Sequence, residues 1–430
     1  MKRVISVAMW LVACHSDHGA HAPDAGDGGD AAPSCTSSTG QWATLLAGTT
    51  SATPSIATAA DGNVYVAGYL AGAWLVKLDP TGAVVWQKLY ASADSDFSIT
   101  TVVATPDLGA LVAGEAVPTS NGTPAAWIAK VDATGSIVWQ QTYDVGMVAA
   151  IAPTSDGGWI ATGQGGTGVY VMTVDATGAV QSASTYDVYP TQVTPYAITA
   201  TSTGSVVAGY YAPSVTDHRA WVIALDAAGA IQWQQSYGGG AGAILAVPDG
   251  YVMAGAQFEA DGSWVVKLDS TGAVAWQESF AATDGSGVEY RVSAIRPNAT
   301  GYAIAGQVGG FPTAQSSSAF FAALDANGAL LGGQYYGGST VSATMYAMDT
   351  AGCDFVFTGF LAGEGAWVAK VDAGGSFAGC SLVQQASLPV AAQSVTPIAA
   401  TFAAHTATIT AGAADAAAAT ATAVASSACP

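Results

Sequence analysis

Between residues 41 and 383 the chain is a succession of short apolar runs, each stopped by Gly, Asp, Asn, Pro or Thr. Runs such as Val64-Tyr65-Val66 and Trp74-Leu75-Val76 are rich in β-branched and aromatic residues, which suit a pleated strand. Helical repeats are excluded, because the runs are too short and glycine is too frequent. One pattern recurs with fixed spacing. Its clearest copies are Trp74, Asp79, Gly82, Trp86; Trp127, Asp132, Gly135, Trp139; Trp221, Asp226, Gly229, Trp233; and Trp264, Asp269, Gly272, Trp276. Within each copy the tryptophans are 12 residues apart, with Asp 5 after the first and Gly 3 after the Asp. Weaker copies carry Asp175 and Gly178, Asp325 and Gly328, and Asp372 and Gly375. Asp-x-x-Gly makes a tight turn, because the carboxylate takes nearby backbone amides and Gly accepts the positive φ. The invariant spacing therefore predicts seven hairpins of fixed length. Upstream of each lies a second apolar run ending in a small residue and glycine, as in Ala113-Gly114 and Thr162-Gly163.

Successive anchor aspartates are 43 to 56 residues apart, room for four strands. For the first unit these are predicted at about 55–60, 63–69, 74–79 and 83–90. A lone four-stranded sheet cannot bury both faces, whereas a ring of such sheets can. The strands are apolar on both sides, as sheets packed between neighbours require. The expected fold is all-β, a propeller of four-stranded antiparallel blades, seven in number with eight as the alternative. A parallel β-helix is the rival and uses shorter coils. Thr39-Gly40-Gln41-Trp42 imitates the start of a fourth strand, so an N-terminal strand is expected to complete the last blade. Residues 384–430 are rich in Ala and Thr and lack the hairpin motif; they are expected to add strands, to take part in ring closure, or to form an appendage.

Asp-x-x-Gly-x-x-x-Trp after an apolar strand resembles the tryptophan-docking repeat of PQQ-like propellers. The Gly-to-Trp spacing agrees, and the turn between Asp and Gly is one residue shorter here in every copy. The resemblance spans roughly residues 40–380 and implies that Trp86, Trp139, Trp233 and Trp276 are structural, packing between blades. Quinoprotein dehydrogenases on this platform carry an adjacent cysteine pair, metal-binding carboxylates and extra cofactor loops. Adjacent cysteines are missing from this sequence, so no cofactor is assigned.

The N-terminus adds an address. Lys2 and Arg3 precede an apolar run from Val4 to Ala13 that ends Leu11-Val12-Ala13-Cys14, and the last four residues resemble a bacterial lipobox. Residues 1–13 are expected to be a lipoprotein signal peptide. Cys14 is the expected lipidation site, with the bilayer as partner through its acyl chains. The run is too short to span a membrane as a helix. His15 at the next position points to the outer membrane, on either its periplasmic or its surface side. Residues 14–40 read as a disordered tether. Its His15, Asp17, His18, His21, Asp24, Asp27 and Asp30 lack the spacing of a metal loop, and no metal is assigned. Four further cysteines, Cys35, Cys353, Cys380 and Cys429, allow three disulfide connectivities. Cys380 with Cys429 would tie down the C-terminal segment and leave Cys35 with Cys353. A net charge of −20, from 10 basic and 30 acidic side chains, argues against nucleic acid as a partner.

Blade geometry places the Asp-x-x-Gly turns and the first-to-second turns on one end of the ring. The second-to-third loops and the links between blades share the other end, and all the length variation lies there. Candidate binding residues on that end are Tyr189, Tyr196, Tyr210, Tyr211, Asp217, His218, Arg219, Glu289, Tyr290 and Arg291, types that suit glycan or protein surfaces. His218 beside Asp217 can be imagined as a general base, but adjacent residues rarely face one another, and no nucleophile or metalloprotease motif occurs. No catalytic residue is assigned. Lys77, Lys130, Lys267 and Lys370 recur in the third strand and are expected to find structural acidic partners. The resulting expectation is a binding or scaffold propeller, comparable to the PQQ-like lipoprotein that aids outer-membrane protein insertion. A propeller-based dehydrogenase is the alternative.

Overall fold

A computed structural model describes residues 40–47, 55–70, 72–120, 122–166, 168–187, 193–214, 217–257, 262–281, 288–310, 317–337, 342–377 and 380. It also describes the tail strands at 383–385, 390–391, 403–406, 411–413, 417–420 and 424–427. The protein is a seven-bladed β-propeller. Blade one comprises β2 (Ser55–Thr58), β3 (Val64–Tyr69), β4 (Ala73–Leu78) and β5 (Val84–Ala91), preceded in the chain by β1 (Trp42–Ala47). Blade two comprises β6 (Ser95–Ala104), β7 (Ala110–Pro118), β8 (Ala125–Val131) and β9 (Ile137–Tyr143). Blade three comprises β10 (Val148–Pro153), β11 (Trp159–Gly165), β12 (Gly168–Val174) and β13 (Val180–Asp187). Blade four comprises β14 (Val193–Thr201), β15 (Gly204–Ser214), β16 (Asp217–Asp226) and β17 (Ile231–Gly238). Blade five comprises β18 (Gly240–Val247), β19 (Gly250–Gln257), β20 (Gly262–Leu268) and β21 (Val274–Ala281). Blade six comprises β22 (Val288–Pro297), β23 (Gly301–Gly310), β24 (Ser318–Asp325) and β25 (Leu330–Tyr336). Blade seven has β26 (Ala343–Ala351), β27 (Asp354–Leu361) and β28 (Gly365–Val371), and β1 is its fourth strand.

That last arrangement closes the ring. β1 pairs antiparallel with β28, Trp42 opposite Lys370 and Ala47 opposite Gly365, so the first strand of the chain completes the last blade. The Trp42 segment thus joins a seventh blade rather than an eighth.

The two recurring motifs have separate physical causes. In every Asp-x-x-Gly turn the glycine has a positive φ, for example +83° at Gly82, and its N–H donates to the aspartate carbonyl. Asp79 Oδ1 meanwhile accepts the amides of Thr81 and Ala83 at 2.8 and 3.0 Å. The small-residue–glycine motif answers a bulge in the innermost strand. From blade two to blade seven the first two strands shift register opposite this glycine, as between Ile99 and Thr101 facing Gly114. A Cβ on Gly114 would lie 2.0 Å from the Ser98 carbonyl oxygen.

Second and third strands are buried on both faces, and seven apolar clusters pack between neighbouring blades rather than within one core. Trp74, Trp127, Trp221, Trp264 and Trp367 on the third strands are almost fully enclosed.

The Ala/Thr-rich tail supplies strands. β29 (Val383–Gln385) pairs with β25, β30 (Val390–Ala391) with β21, β31 (Ala403–Thr406) with β13, β32 (Ala411–Ala413) with β9, β33 (Ala417–Thr420) with β5 and β34 (Val424–Ser427) with β1. Each adds a fifth, antiparallel strand to the outer edge of a blade, where backbone N–H and C=O groups would otherwise lack partners. The belt visits blades six, five, three, two, one and seven, opposite to the order in which the blades follow along the chain. Among the described residues no belt strand pairs with β17 of blade four. Cys353 and Cys380 are described, both at blade seven, while Cys14, Cys35 and Cys429 lie outside the described residues.

Candidate functional site

The strongest departure from the repeat is the hairpin of blade four. Its strands β15 and β16 are 11 and 10 residues long, and Ser214 pairs with Asp217 at the variable-loop end of the ring. Five candidate residues lie on it: Tyr210, Tyr211, Asp217, His218 and Arg219. The rings of Tyr210 and His218 stack, with centroids 5.8 Å apart and an interplanar angle of 20°. Arg219 forks onto the Asp217 carboxylate, with its Nε and Nη2 donating at 2.8 and 2.6 Å. That bond holds the Asp217 carboxyl below the usual carboxylate range. A third donor of Arg219, Nη1, lies 3.5 Å from the Tyr211 hydroxyl. Tyr211 itself is buried, so it supports the hairpin from beneath rather than meeting a ligand. Tyr196 on the neighbouring strand lies close to Tyr210; burial, and then Tyr210, push its hydroxyl up to about 12.

The other candidates are distributed differently. Tyr290 is buried, with its hydroxyl 2.9 Å from that of Tyr335 and its ring edge-on to Phe320. Arg291 is half-buried on β22 of blade six. Glu289 is described only as a strand position, and Tyr189 lies outside the described residues. Tyr210 and His218 thus stack on one face of the blade-four hairpin, while Asp217, Arg219 and Tyr211 meet on the other, and blade six extends neither group.

The repeat residues do something else. Trp86 Nε1 donates to the Ala133 carbonyl of blade two at 2.9 Å, Trp233 Nε1 to Ser270 of blade five at 2.9 Å, and Trp276 Nε1 to Ala326 of blade six at 3.2 Å. Trp42 repeats the bond across the closure, to Pro80 of blade one at 2.8 Å. The ring of Trp139 lies against Gly178 of blade three. A second docking residue stands beside these. Tyr90, Tyr143 and Tyr237 each donate a buried hydroxyl to the turn-glycine carbonyl of the next blade, at 2.9, 2.7 and 2.9 Å. Tyr186 and Tyr336 make the same bond without a tryptophan upstream. The Trp-x-x-x-Tyr spacing of 86/90, 139/143 and 233/237 was visible in the sequence and marks this role.

Three lysines of the third strand meet acidic partners. Lys130 bonds Asp107 at 2.8 Å, Lys370 lies 3.5 Å from Asp354, and Lys267 pairs with Asp249. Lys77 instead donates to the Leu108 and Ala133 carbonyls of blade two and lies 5.0 Å from the Tyr65 ring centroid. One charged group escaped the repeat logic. Arg296 on β22 and Asp349 on β26 form a buried pair at 3.3 Å, and the other oxygen of Asp349 accepts the Thr58 amide of β2 at 2.8 Å. These three innermost strands belong to blades six, seven and one, so the pair bridges the closure.

The chain resembles several solved propellers at low identity. It is 12% identical to the Dos1 propeller, with 79% of this chain and 96% of that one covered and a TM-score of 0.48. The β-propeller domain of Cps50 (Swd1) from Myceliophteria thermophila is 11% identical, with 77% and 99% covered and a TM-score of 0.49. A protein from Lactobacillus plantarum is 16% identical, with 75% and 91% covered and a TM-score of 0.40. No curated protein matches the chain. Residues 218–351, less than half of the chain, match the PQQ-type family described as outer membrane protein assembly factor BamB, so the repeat is similar to that of PQQ-like propellers.

Proposed function

We propose that this protein is a membrane-anchored binding or scaffold module of the bacterial envelope, which engages a protein or glycan partner through the blade-four hairpin. The observation that carries this reading is the hairpin itself. Blade four projects a stacked Tyr210–His218 pair on one face of its long hairpin and a charged Asp217–Arg219 fork on the other. The stacked aromatic pair suits a sugar ring or an apolar peptide side chain, and the fork on the opposite face offers polar contacts. The ring beneath is held by cross-blade bonds and supplies a rigid platform. Cys14 is the proposed acylation site and the outer membrane the proposed location.

A screen against glycans, peptidoglycan fragments and envelope proteins tests the binding face, using wild type and a Tyr210→Ala/His218→Ala variant. Loss of binding in the variant supports the hairpin; unchanged binding removes it. Incorporation of a labelled fatty acid that disappears in Cys14→Ser tests the anchor. The match over residues 218–351 favours one form of scaffold, a part in outer-membrane protein assembly. For that form, protease treatment of intact cells should spare the propeller, because the partner would then be periplasmic.

A further inference from the structure

We infer that the variable-loop end carries a circle of ligand contacts, one on each of six blades, and that the ligand is a neutral oligosaccharide. The inference rests on the proposed blade-four face and adds contacts from other blades to it. The contacts are the residues that follow the small-residue–glycine motif of the second strands: Tyr69, Glu115, Gln164, Tyr210, Gln307 and Phe360.

Strand register makes these positions equivalent. The motif glycine stands opposite the enclosed aromatic of the third strand, as Gly68 does Trp74, Gly163 Tyr170 and Gly306 Phe320. The next residue then stands opposite a smaller one. Tyr69 faces Ala73, Glu115 faces Ala126, Gln164 faces Val169, Tyr210 faces Ala220, Gln307 faces Ala319 and Phe360 faces Ala366. Second strands run toward the variable-loop end, so all six lie at one level. Burial ends at that level. In each of these blades the motif glycine is buried, whereas Tyr69 is 44% exposed and the other five contacts are half-buried. Gln164 Nε2 donates to the Val193 carbonyl of the next blade at 3.3 Å, so the row reaches across a seam.

The chemistry of the six is that of sugar recognition. Three are aromatic, two are amides, one is a carboxylic acid and none is cationic. Aromatic faces stack on the C–H face of a pyranose, and amide and carboxyl groups bond its hydroxyls. Glu115 makes no hydrogen bond or ion pair among the described residues, and burial pushes its carboxyl up, toward the uncharged acid. A polyanion finds no positive charge among these contacts, and a polycation is drawn to the other end, where the aspartates of the seven turns lie. Packed sheets stand about 10 Å apart, so neighbouring contacts are separated by more than one sugar ring covers. An oligosaccharide spans them and a monosaccharide does not.

The test applies the purified full chain to an array of neutral saccharides of increasing length, with acidic glycans and a basic peptide as controls. Neutral oligosaccharides are expected to bind, and the corresponding monosaccharide at least about tenfold more weakly. In calorimetric titration with the best oligosaccharide, Tyr69→Ala and Glu115→Ala should each weaken binding at least about fivefold. Tyr69→Phe keeps the ring face and should bind like wild type, which separates lost stacking from lost folding. Binding that falls in Tyr210→Ala/His218→Ala and is unchanged in Tyr69→Ala and Glu115→Ala overturns the circle and leaves the blade-four face standing. Binding of acidic glycans or the basic peptide alone, or of no glycan, overturns the inference. The blade-four face then survives only where an envelope protein binds and needs Tyr210 and His218.

Discussion

The indole of Trp233 on blade four occupies the space that a side chain on Gly272 of blade five would need: a Cβ there would lie 2.7 Å from the ring. Trp233 Nε1 also donates to the Ser270 carbonyl at 2.9 Å, two residues before that glycine. The turn of one blade is thus the socket of the preceding one, and five such tryptophan sockets, at Gly82, Gly135, Gly178, Gly272 and Gly328, help fix the distance between sheets. The propeller holds together through these junctions, because no blade has a core of its own.

Gly272→Ala is therefore expected to act twice. It strains a φ of +83° and drives a methyl into the indole. Gly157 separates the two effects, because its φ is +84° but no atom lies within 4 Å of a Cβ built there. The strain alone costs of order 1–3 kcal/mol. Denaturant unfolding should show Gly157→Ala inside that range and Gly272→Ala above it. Equal losses would mean that the tryptophan yields freely and the socket contributes nothing.

Tyr237→Phe tests the second docking contact. The hydroxyl is buried and donates to the Gly272 carbonyl at 2.9 Å, so its removal should lower stability by about 0.5–1.5 kcal/mol with the fold unchanged. Blade five carries Phe280 at the corresponding position, which shows that the repeat survives without the hydroxyl. Tyr237→Phe should therefore leave far-ultraviolet circular dichroism unaltered while the denaturation midpoint falls. An unchanged midpoint would assign the tyrosine to packing alone.

The fold was legible because its determinants are local and repeated. Asp79 to Gly82 specifies a turn by carboxylate bonding and positive φ, and Gly114 specifies a close approach to a bulged strand; both signals survive in isolation. The tail was legible only as far as added strands stood among its readings; which edges they join was not. Ala417–Thr420 has no alternation or turn chemistry, and its pairing with Lys88 to Ala91 is decided by a free strand edge elsewhere in the ring. Arg296 and Asp349 were equally silent, since residues 53 apart in sequence meet only when blades six and seven stand side by side. At the candidate site, sequence pattern offered 210–220 as one variable loop among several, where the structure has the paired strands β15 and β16. It could not tell the half-buried Tyr210 from Tyr211 and Tyr290, which the sheets turn inward.

The closure pair predicts an asymmetric mutational response. Arg296 and Asp349 are each only 5% exposed along their side chains, so removing one leaves the other charged and enclosed. Arg296→Met or Asp349→Ala should each cost about 3–5 kcal/mol. Asp349→Ala loses in addition the acceptor of the Thr58 amide. The double variant should recover part of the loss, measured by a double-mutant cycle in denaturant. Additive losses would show that the two groups act separately and that no charge pair holds blades six, seven and one.

Acid sensitivity follows from the carboxylates at the turn end of the ring. Burial pushes the Asp107 carboxyl up, but hydrogen bonds from Lys130 and Thr105 outweigh it and bring it down to about 2. The Asp79 and Asp132 carboxyls also fall, chiefly through the hydroxyls of Thr81 and Thr134. A carboxyl lowered by folding contributes stability that is present above its unfolded value near 4 and vanishes as pH falls through its folded value. Stability should therefore be flat from neutral pH down to about 5 and decline steeply between about 4 and 2. Asp107→Asn should flatten that decline while lowering stability at neutral pH. The neutral-pH loss should be small, because the carboxylate is 60% exposed and its pairing with Lys130 is screened by water. Denaturation midpoints of wild type and Asp107→Asn across pH 2 to 7 decide it; parallel curves would show that this ion pair takes no part in the acid transition.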